Sequence, residues 1–333
     1  MSGLGRERHS SCRAVPNAVR DREPRLVTFP PLDVDFAHLA DFDSGIGGTT
    51  ADLVGMRSAL VQMIDRPPPV DGVAVGQARV GAGPEVTIET FTPEAEGPRP
   101  AILWFHGGGF VVGSAGMDAD RLQRWSRQFR CFAGSVEYRL APEHPYPAAH
   151  RDGVAALEWL IASADELALD VGRIVVAGAS AGGGLAAGVA LAARDRGIRL
   201  AGQLLFYPML DDRQVTASSQ WPTAVWSRDS NEFGWRSYLG TVDTREIADY
   251  AAPSRATLLD DLPPTMILVG GSDAFVDEDI DYAARLAHAG VATDLRVYAG
   301  APHGFDLLVP ESITSCTAAD DAERWLEKVL GRP

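Results

Sequence analysis

A serine flanked by glycines separates a buried apolar segment from a run of small residues, and this arrangement constrains the fold more than any other feature of the chain. Residues 173–177 read Arg-Ile-Val-Val-Ala, which is typical of a buried strand. Gly178, Ser180 and Gly182 follow, and a predicted helix begins directly after them. A serine at so sharp a turn needs a strained, positive-φ backbone, and larger neighbours would collide with the strand or the helix. The pattern is therefore typical of a nucleophile elbow.

An upstream glycine run gives this serine a chemical context. Residues 100–105 form a second apolar, strand-like run, which ends in His106, Gly107, Gly108 and Gly109. Three residues without side chains leave backbone N–H groups free to point at a ligand oxygen. Alone, such a run would indicate an ordinary glycine-rich turn after a strand. Together with the elbow, it predicts an oxyanion hole.

A serine hydroxyl is a poor nucleophile, so it needs a base within hydrogen-bond reach and a carboxylate that orients this base. The chain order of serine, then Asp or Glu, then His is that of α/β-hydrolases. Asp273, at the end of a third apolar run, and His303 satisfy this order. His303 lies in a loop rich in glycine and proline, and a loop suits a base that must move between nucleophile and leaving group.

Other carboxylates and histidines compete for these two roles. Asp277, Glu278 and Asp279 lie nearby, but the apolar residues after them recur at helical spacing, which indicates the acidic first turn of a helix and favours Asp273. His106 adjoins the glycine run, so we expect it to brace that loop. The other five histidines lie in a polar tail, on predicted helices or beside prolines, where a lone histidine is usually structural: His9, His38, His288, His144 and His150.

With these motifs the chain resembles the hormone-sensitive lipase family of α/β-hydrolase esterases. The resemblance covers most of the chain from about residue 70 onward, and it is carried by residues 106–110, 137–143, 178–183, 273–278 and 303–305. Two positions depart from the family pattern. Ala179 stands where Asp commonly precedes the serine, and Ala274 stands where Pro commonly follows the acid. We expect Ala179 to face away from the chemistry, and neither departure removes a catalytic group.

The resemblance implies a role for each candidate residue. Ser180 would be the nucleophile, His303 the general base and acid, and Asp273 the partner of that histidine, which is also the triad that the residues indicate. The backbone N–H groups of Gly108, Gly109 and Ala181 would bind the oxyanion. Support for the site is expected from His106, Gly107 and Glu143, and contact with substrate from Phe110, Trp221, Trp226 and Phe305.

The remaining pattern predicts an α/β fold. Strand-like runs lie at residues 73–80, 85–92, 101–105, 131–138, 174–177, 202–206, 266–270 and 294–298. Helix-like runs lie at residues 147–163, 181–194, 277–289 and 318–330. Such alternation predicts an eight-stranded, mostly parallel sheet with helices on both faces, here an α/β-hydrolase fold. Ligands of such sheets bind beyond the carboxyl ends of the strands, where all three triad residues are expected.

Two segments interrupt this alternation. Within residues 26–68, the stretch 32–63 carries helical apolar spacing before the first strand, and residues 209–250 place large aromatic residues among polar ones. The aromatic residues are compatible with a small packed subdomain. The family resemblance implies instead that both segments form a helical cap over the site and line the acyl pocket. The catalytic core would then comprise residues 69–208 and 251–333, preceded by a disordered tail at residues 1–25 that is rich in Arg, Ser and Pro.

Composition limits the partners and the location. A net charge of -15 disfavours nucleic acid and anionic membrane surfaces, which would repel the chain. No stretch approaches the roughly 18 apolar residues of a membrane span. Cys12, Cys131 and Cys316 are few, odd in number and widely spaced, which suits reduced thiols in a cytoplasm. The acidic residues in the tail disfavour a transit peptide.

The function predicted from these features is that of a serine carboxylesterase acting on short- to medium-chain acyl esters through an acyl-enzyme intermediate. This chemistry needs neither a metal nor an organic cofactor. An amide, lactone or carbamate hydrolase with the same triad stays open, as does a non-catalytic small-molecule receptor, against which the retained triad speaks. The expected partner is a small ester. Because the family often pairs through an edge strand, residues 294–298 are the candidate contact of a homodimer.

Overall fold

The computed structural model describes residues 29–47, 50–63, 68–80, 85–243 and 247–331. The predicted disordered tail, with His9 and Cys12, lies outside the described residues.

The described strands form one twisted sheet whose order is β1-β2-β4-β3-β5-β6-β7-β8. The strands are β1 (Val73–Val80), β2 (Val86–Pro93), β3 (Arg99–Phe105), β4 (Phe132–Glu137), β5 (Leu169–Ala179), β6 (Gly202–Phe206), β7 (Thr265–Gly270) and β8 (Thr293–Tyr298). Strand β2 runs antiparallel to β1 and β4, and every other pair of neighbours is parallel. The predicted eight-stranded, mostly parallel sheet is confirmed.

Helices cover both faces of this sheet. They are α1 (Thr50–Met63), α2 (Ala119–Phe129), α3 (Ala148–Ala162), α4 (Ala181–Asp195), α5 (Arg228–Leu239), α6 (Val276–His288), α7 (Phe305–Leu308) and α8 (Ile313–Leu330). Successive residues of β3 show how the two layers arise, because side chains alternate along a strand. Leu103 and Phe105 pack with α3 and α4, whereas Ile102 and Trp104 pack with α2 and α8.

The two segments outside the alternation meet each other. Ser44 donates a backbone hydrogen bond to the carbonyl of Val225, and the N–H of Val225 donates to Phe42. Leu53 of α1 and Phe233 of α5 share an apolar cluster with Val111 and Val112, which follow the glycine run. The N-terminal segment and the insertion are thus packed together near the carboxyl end of β3.

None of the helices described combines the length and the apolar character that crossing a bilayer requires.

Candidate active site

Ser180 stands at the turn between β5 and α4, with φ 56° and ψ -121°. The positive φ expected for this serine is therefore present. The neighbouring glycines permit the turn because a Cβ at Gly182 would lie 2.1 Å from the carbonyl oxygen of Phe105, and a Cβ at Gly178 would lie 2.3 Å from that of Gly182. No real Cβ tolerates such distances, so close packing of strand, turn and helix requires glycine here.

The structure brings Ser180, His303 and Asp273 into one line of hydrogen bonds. The Nδ1–H of His303 donates to Oδ2 of Asp273 at 2.8 Å. This fixes the tautomer, so Nε2 accepts from the Ser180 hydroxyl at 2.9 Å. Asp273 is fully buried, and its second oxygen accepts the backbone N–H of Phe275 at 3.0 Å. The three residues follow β5, β7 and β8, at the carboxyl edge of the sheet.

Aromatic rings enclose the imidazole of His303. Tyr207 and Phe275 meet it edge-on, with ring centroids 4.8 and 5.0 Å away, and Trp226 lies at 5.9 Å. The hydroxyl of Tyr207 donates to Asp306 at 2.6 Å, which holds its ring in place. These contacts restrict the rotation of the imidazole.

The glycine run after β3 approaches the same point. Gly108 has φ +113°, and a Cβ there would lie 2.2 Å from the carbonyl oxygen of Val112, so only glycine allows the loop to close in this way. Within the described residues, the N–H groups of Gly108, Gly109 and Ala181 have no protein acceptor. Ala181 is also the first residue of α4, where unpaired donors and the helix dipole favour an anion.

His106 packs behind this loop. Its ring stacks on Tyr138 with centroids 4.1 Å apart, and its Nδ1 lies 2.8 Å from the carbonyl oxygen of Gly107, to which it donates. The hydroxyl of Tyr138 in turn donates to the carbonyl of His106 at 2.8 Å. Burial lowers the pKa of His106 to about 4, so the ring is neutral at physiological pH. These contacts suit a structural brace better than a proton carrier.

A cavity of about 380 Å³ opens beside Ser180 and His303 and is lined mostly by apolar side chains. Of the four side chains expected to contact substrate, Trp226 lines it. Phe110 instead stacks on Tyr238 at 3.9 Å, Phe305 is buried in the core, and Trp221 packs half-buried against the same core. Phe110, Phe305 and Trp221 thus pack against other side chains of the protein and do not line this cavity.

Ala179 departs from its expectation. We expected this residue to face away from the chemistry, but it lines the cavity together with Ser180. An alanine here keeps the wall apolar where the family commonly has a carboxylate. The departure from the family pattern therefore changes the wall of the cavity itself.

Two residues near the site were not indicated by the sequence. Arg57 of α1 hydrogen bonds to Glu143 and to the loop after the glycine run, and Asp118 lines the cavity. Neither belongs to a motif. A lone arginine on a surface helix and a lone aspartate before a helix are common, so no sequence signal separates them from ordinary polar residues.

A larger surface cavity of about 550 Å³ lies at the amino ends of the strands, opposite the end that carries Ser180. It is lined by the end of α4 and by the residues that precede β6 and β7, such as Leu200 and Pro264. None of the candidate site residues contacts it.

Comparison with known proteins defines the class of this protein. The family model described as the alpha/beta hydrolase fold matches residues 102–307. The chain is 37% identical over 249 residues to esterase LipI of Mycobacterium tuberculosis, covering 67% of this chain and 72% of that protein. Among solved structures, a bacterial heroin esterase has a TM-score of 0.84 at 37% identity, covering 91% of this chain and 99% of that one. The structure of esterase LipW from Mycobacterium marinum has a TM-score of 0.83 at 36% identity, and the match covers 92% of this chain and 99% of that one.

The chain therefore belongs to the α/β-hydrolase fold family. More narrowly, it is a member of the hormone-sensitive lipase family of esterases and a hydrolase of ester bonds.

Proposed function

We propose that this chain is a serine carboxylesterase that cleaves short- to medium-chain esters through a covalent acyl-enzyme at Ser180. The observation that carries the proposal is the unbroken line from Asp273 through His303 to Ser180, with distances of 2.8 and 2.9 Å. Free N–H donors next to this serine supply the second requirement of acyl transfer, which is a site for the oxyanion.

The reaction proceeds in two steps. The Oγ of Ser180 attacks the ester carbonyl while Nε2 of His303 takes its proton, and Asp273 stabilises the imidazolium through Nδ1–H. The oxyanion is held by the N–H groups of Gly108, Gly109 and Ala181. His303 then returns its proton to the departing alcohol. Water hydrolyses the acyl-enzyme by the same proton path, and the free acid leaves.

The cavity supports a small substrate. Its volume of about 380 Å³ lies near the lower end of the roughly 300–1,000 Å³ typical of ligand pockets. Its apolar wall, with Ile46, Val225, Leu307 and Leu308, suits an aliphatic acyl chain. Hydrolysis rates for p-nitrophenyl esters from acetate to decanoate test this, and we expect kcat/KM to fall beyond medium chain length. The names of the relatives favour esters over amides, lactones and carbamates.

Replacement of the nucleophile tests the mechanism. For Ser180→Ala we expect kcat with p-nitrophenyl butyrate to fall at least about 10⁴-fold, as expected for loss of a triad nucleophile. A fluorophosphonate probe should label the wild type and not this variant. The matched control is Ser163→Ala at the end of α3, remote from the site, which should keep both properties. Near-normal turnover by Ser180→Ala would overturn the assignment, and absence of both turnover and labelling in the wild type would favour a receptor.

We also propose that residues 26–68 and 209–250 act together as a cap over the site. The shared cluster of Leu53 and Phe233 and the pairing of Val225 with the N-terminal segment support this. Deletion of residues 1–68, which ends before β1, tests the cap because it removes one of its two parts. We expect the truncated protein to lose chain-length preference.

β8 is an edge strand with exposed Arg296 and Val297, and we propose that a homodimer pairs along it. The variant Val297→Pro removes a backbone N–H donor from this edge. Its molar mass in solution, measured by light scattering and compared with that of the wild type, tests the pairing. Cys131 is buried and Cys316 exposed, and both are free thiols, in keeping with the cytoplasmic location that we propose.

A further inference from the structure

Asp118 occupies a helix-capping position without capping the helix. It ends the 3-10 helix Ala115–Asp118 and directly precedes α2, but its side chain makes no cap hydrogen bond. Aspartate at this position normally accepts a backbone N–H of the first turn, and the bond contributes about 1 kcal/mol. The carboxylate of Asp118 forgoes that contact and lies in the wall of the cavity that holds Ser180.

The carboxylate is only half satisfied by the protein. Its Oδ2 accepts the indole N–H of Trp104 at 2.8 Å. Its Oδ1 lies 3.8 Å from Nη1 of Arg121, too far for a hydrogen bond, and accepts no other among the described residues. The side chain is only 9% exposed. A nearly buried oxygen that accepts no hydrogen bond and borders a ligand cavity has its free acceptor capacity directed at an occupant.

Around Asp118, carboxyl groups outnumber cationic side chains. Arg121 stands between two carboxylates, since its Nη2 donates to Asp306 and its Nη1 faces Asp118. Tyr207, whose hydroxyl also donates to Asp306, is neutral because burial raises its pKa. One cation thus faces two carboxyl groups. Burial raises the pKa of Asp118, and a positive charge in the cavity would oppose that rise by stabilising the ionised form.

The rest of the wall suits an organic cation. Trp226 and Tyr207 present aromatic rings, and Met56 and Met117 contribute polarisable thioethers. Among the lining residues that the structure describes, Asp118 is the one carboxylate, and none is Lys or Arg. A carboxylate beside aromatic faces is the combination that recognises alkylammonium groups, through charge and cation–π attraction.

We propose that Asp118 is a specificity-determining residue that selects esters bearing an ammonium group in the part of the molecule that reaches it. The inference rests on the proposed function, because the same cavity must hold the scissile ester beside Ser180. It names a substrate class within that function, namely cationic esters of small size.

A pair of isosteric esters tests this. Acetylcholine and 3,3-dimethylbutyl acetate differ in a single quaternary nitrogen that is replaced by carbon. The readout is the ratio of kcat/KM for the cationic ester to kcat/KM for the neutral ester. In Asp118→Asn, whose amide oxygen still accepts the Trp104 N–H, we expect this ratio to fall at least about tenfold, the loss that a missing charge-assisted contact gives. The matched control is Asp120→Asn, which removes an exposed carboxylate two residues away, and its ratio should equal that of the wild type.

If acetylcholine is hydrolysed too slowly to measure, inhibition by the corresponding alcohols tests whether Asp118 selects the cationic group. Choline should inhibit hydrolysis of p-nitrophenyl acetate by the wild type more strongly than 3,3-dimethylbutan-1-ol does, and Asp118→Asn should remove the difference. Equal inhibition by the two alcohols, or a ratio unchanged in Asp118→Asn, would overturn the inference while leaving the esterase intact. Absence of p-nitrophenyl acetate hydrolysis in the wild type would instead overturn the proposed function, and this inference with it.

Discussion

Arg57 of α1 holds the carboxylate of Glu143 through two hydrogen bonds, of 2.8 and 2.9 Å. The same guanidinium donates at 2.7 Å to the carbonyls of Val111 and Ala141. Val111 lies two residues after Gly109, at the end of the oxyanion loop. One side chain from the N-terminal segment therefore ties that loop to the loop after β4, and it lowers the pKa of Glu143 by hydrogen bonding to its ionised form.

We expect Arg57→Ala to lower kcat about tenfold, with a smaller effect on KM. The loop then loses the hydrogen bonds that hold it, so the oxyanion donors are misplaced. Because these donors stabilise the transition state more than the bound substrate, the loss lowers kcat more than it raises KM. The free energy of unfolding should fall by about 1 to 2 kcal/mol, as for loss of hydrogen bonds to a partly exposed charged group. The control is Arg79→Ala, which breaks an exposed ion pair with Glu85 on the β1–β2 edge. A kcat unchanged in Arg57→Ala would show that α1 does not position the loop.

The core of the fold is legible from sequence because parallel strands are buried on both faces. The runs predicted at 73–80 and 202–206 coincide with β1 and β6, and those for β3 and β7 differ by one or two residues at one end. β5 begins five residues earlier than predicted, at Leu169. Polar residues and a glycine interrupt the apolar pattern before Ile174, and a register irregularity separates the first pair, Leu169 with Arg99, from the regular pairing that begins at Ile174. The acidic first turn predicted for Asp277, Glu278 and Asp279 is confirmed in α6.

Helix α2 was not predicted, although Leu122, Trp125 and Phe129 carry helical spacing, because polar and charged residues together dominate its sequence. The contacts of Arg57 and Asp118 were beyond prediction for a different reason. Each depends on partners brought close only by the folded chain, such as Glu143, 86 residues away. Local patterns encode elements and motifs, whereas the second layer of a site is set by tertiary packing.

Gly108→Ala should reduce kcat by about 100-fold or more while the protein stays folded. The added Cβ would lie 2.2 Å from the carbonyl oxygen of Val112 at φ +113°, so the loop must shift and its N–H moves away from the oxyanion. Gly290→Ala is the matched control, since its φ of +85° is equally unsuited to alanine but the space around it is open. We expect that variant to lose stability and keep kcat. Equal activity of the two variants would argue against an oxyanion role for the loop.

Asp279→Asn should stabilise the protein at neutral pH. Both carboxylate oxygens of Asp279 are buried without a hydrogen-bond partner in the described structure, and burial together with the nearby charges of Glu278 and Asp273 raises its pKa well above the usual value of 3.8. The native state thus keeps a proton that the unfolded chain releases above about 3.8. Stability therefore falls as pH rises through the interval between the unfolded and native pKa values.

Urea denaturation at pH 4, 6 and 8 checks this expectation. The gain of Asp279→Asn over the wild type should be smallest at pH 4 and should grow towards pH 8. Asp281→Asn, which removes an exposed carboxylate from the same helix, is the control and should give no comparable gain. A difference for Asp279→Asn that stays constant across these three pH values would contradict the argument.

His150 gives the opposite dependence. It is buried on α3, remote from the site, and its ring stacks on Tyr250 with centroids 5.1 Å apart. Burial lowers its pKa from 6.5 to about 4, with Arg196 and Arg151 adding to the shift. Between these values the unfolded chain binds a proton that the native protein does not, so stability is lost as pH falls through the interval.

His150→Phe keeps the stacked ring and removes the titrating group. We expect its unfolding free energy relative to the wild type to rise by about 3 kcal/mol between pH 7.5 and pH 4, at about 1.4 kcal/mol per pKa unit. Parallel stability curves for the two proteins would show that His150 is protonated in the folded state as readily as in the unfolded chain.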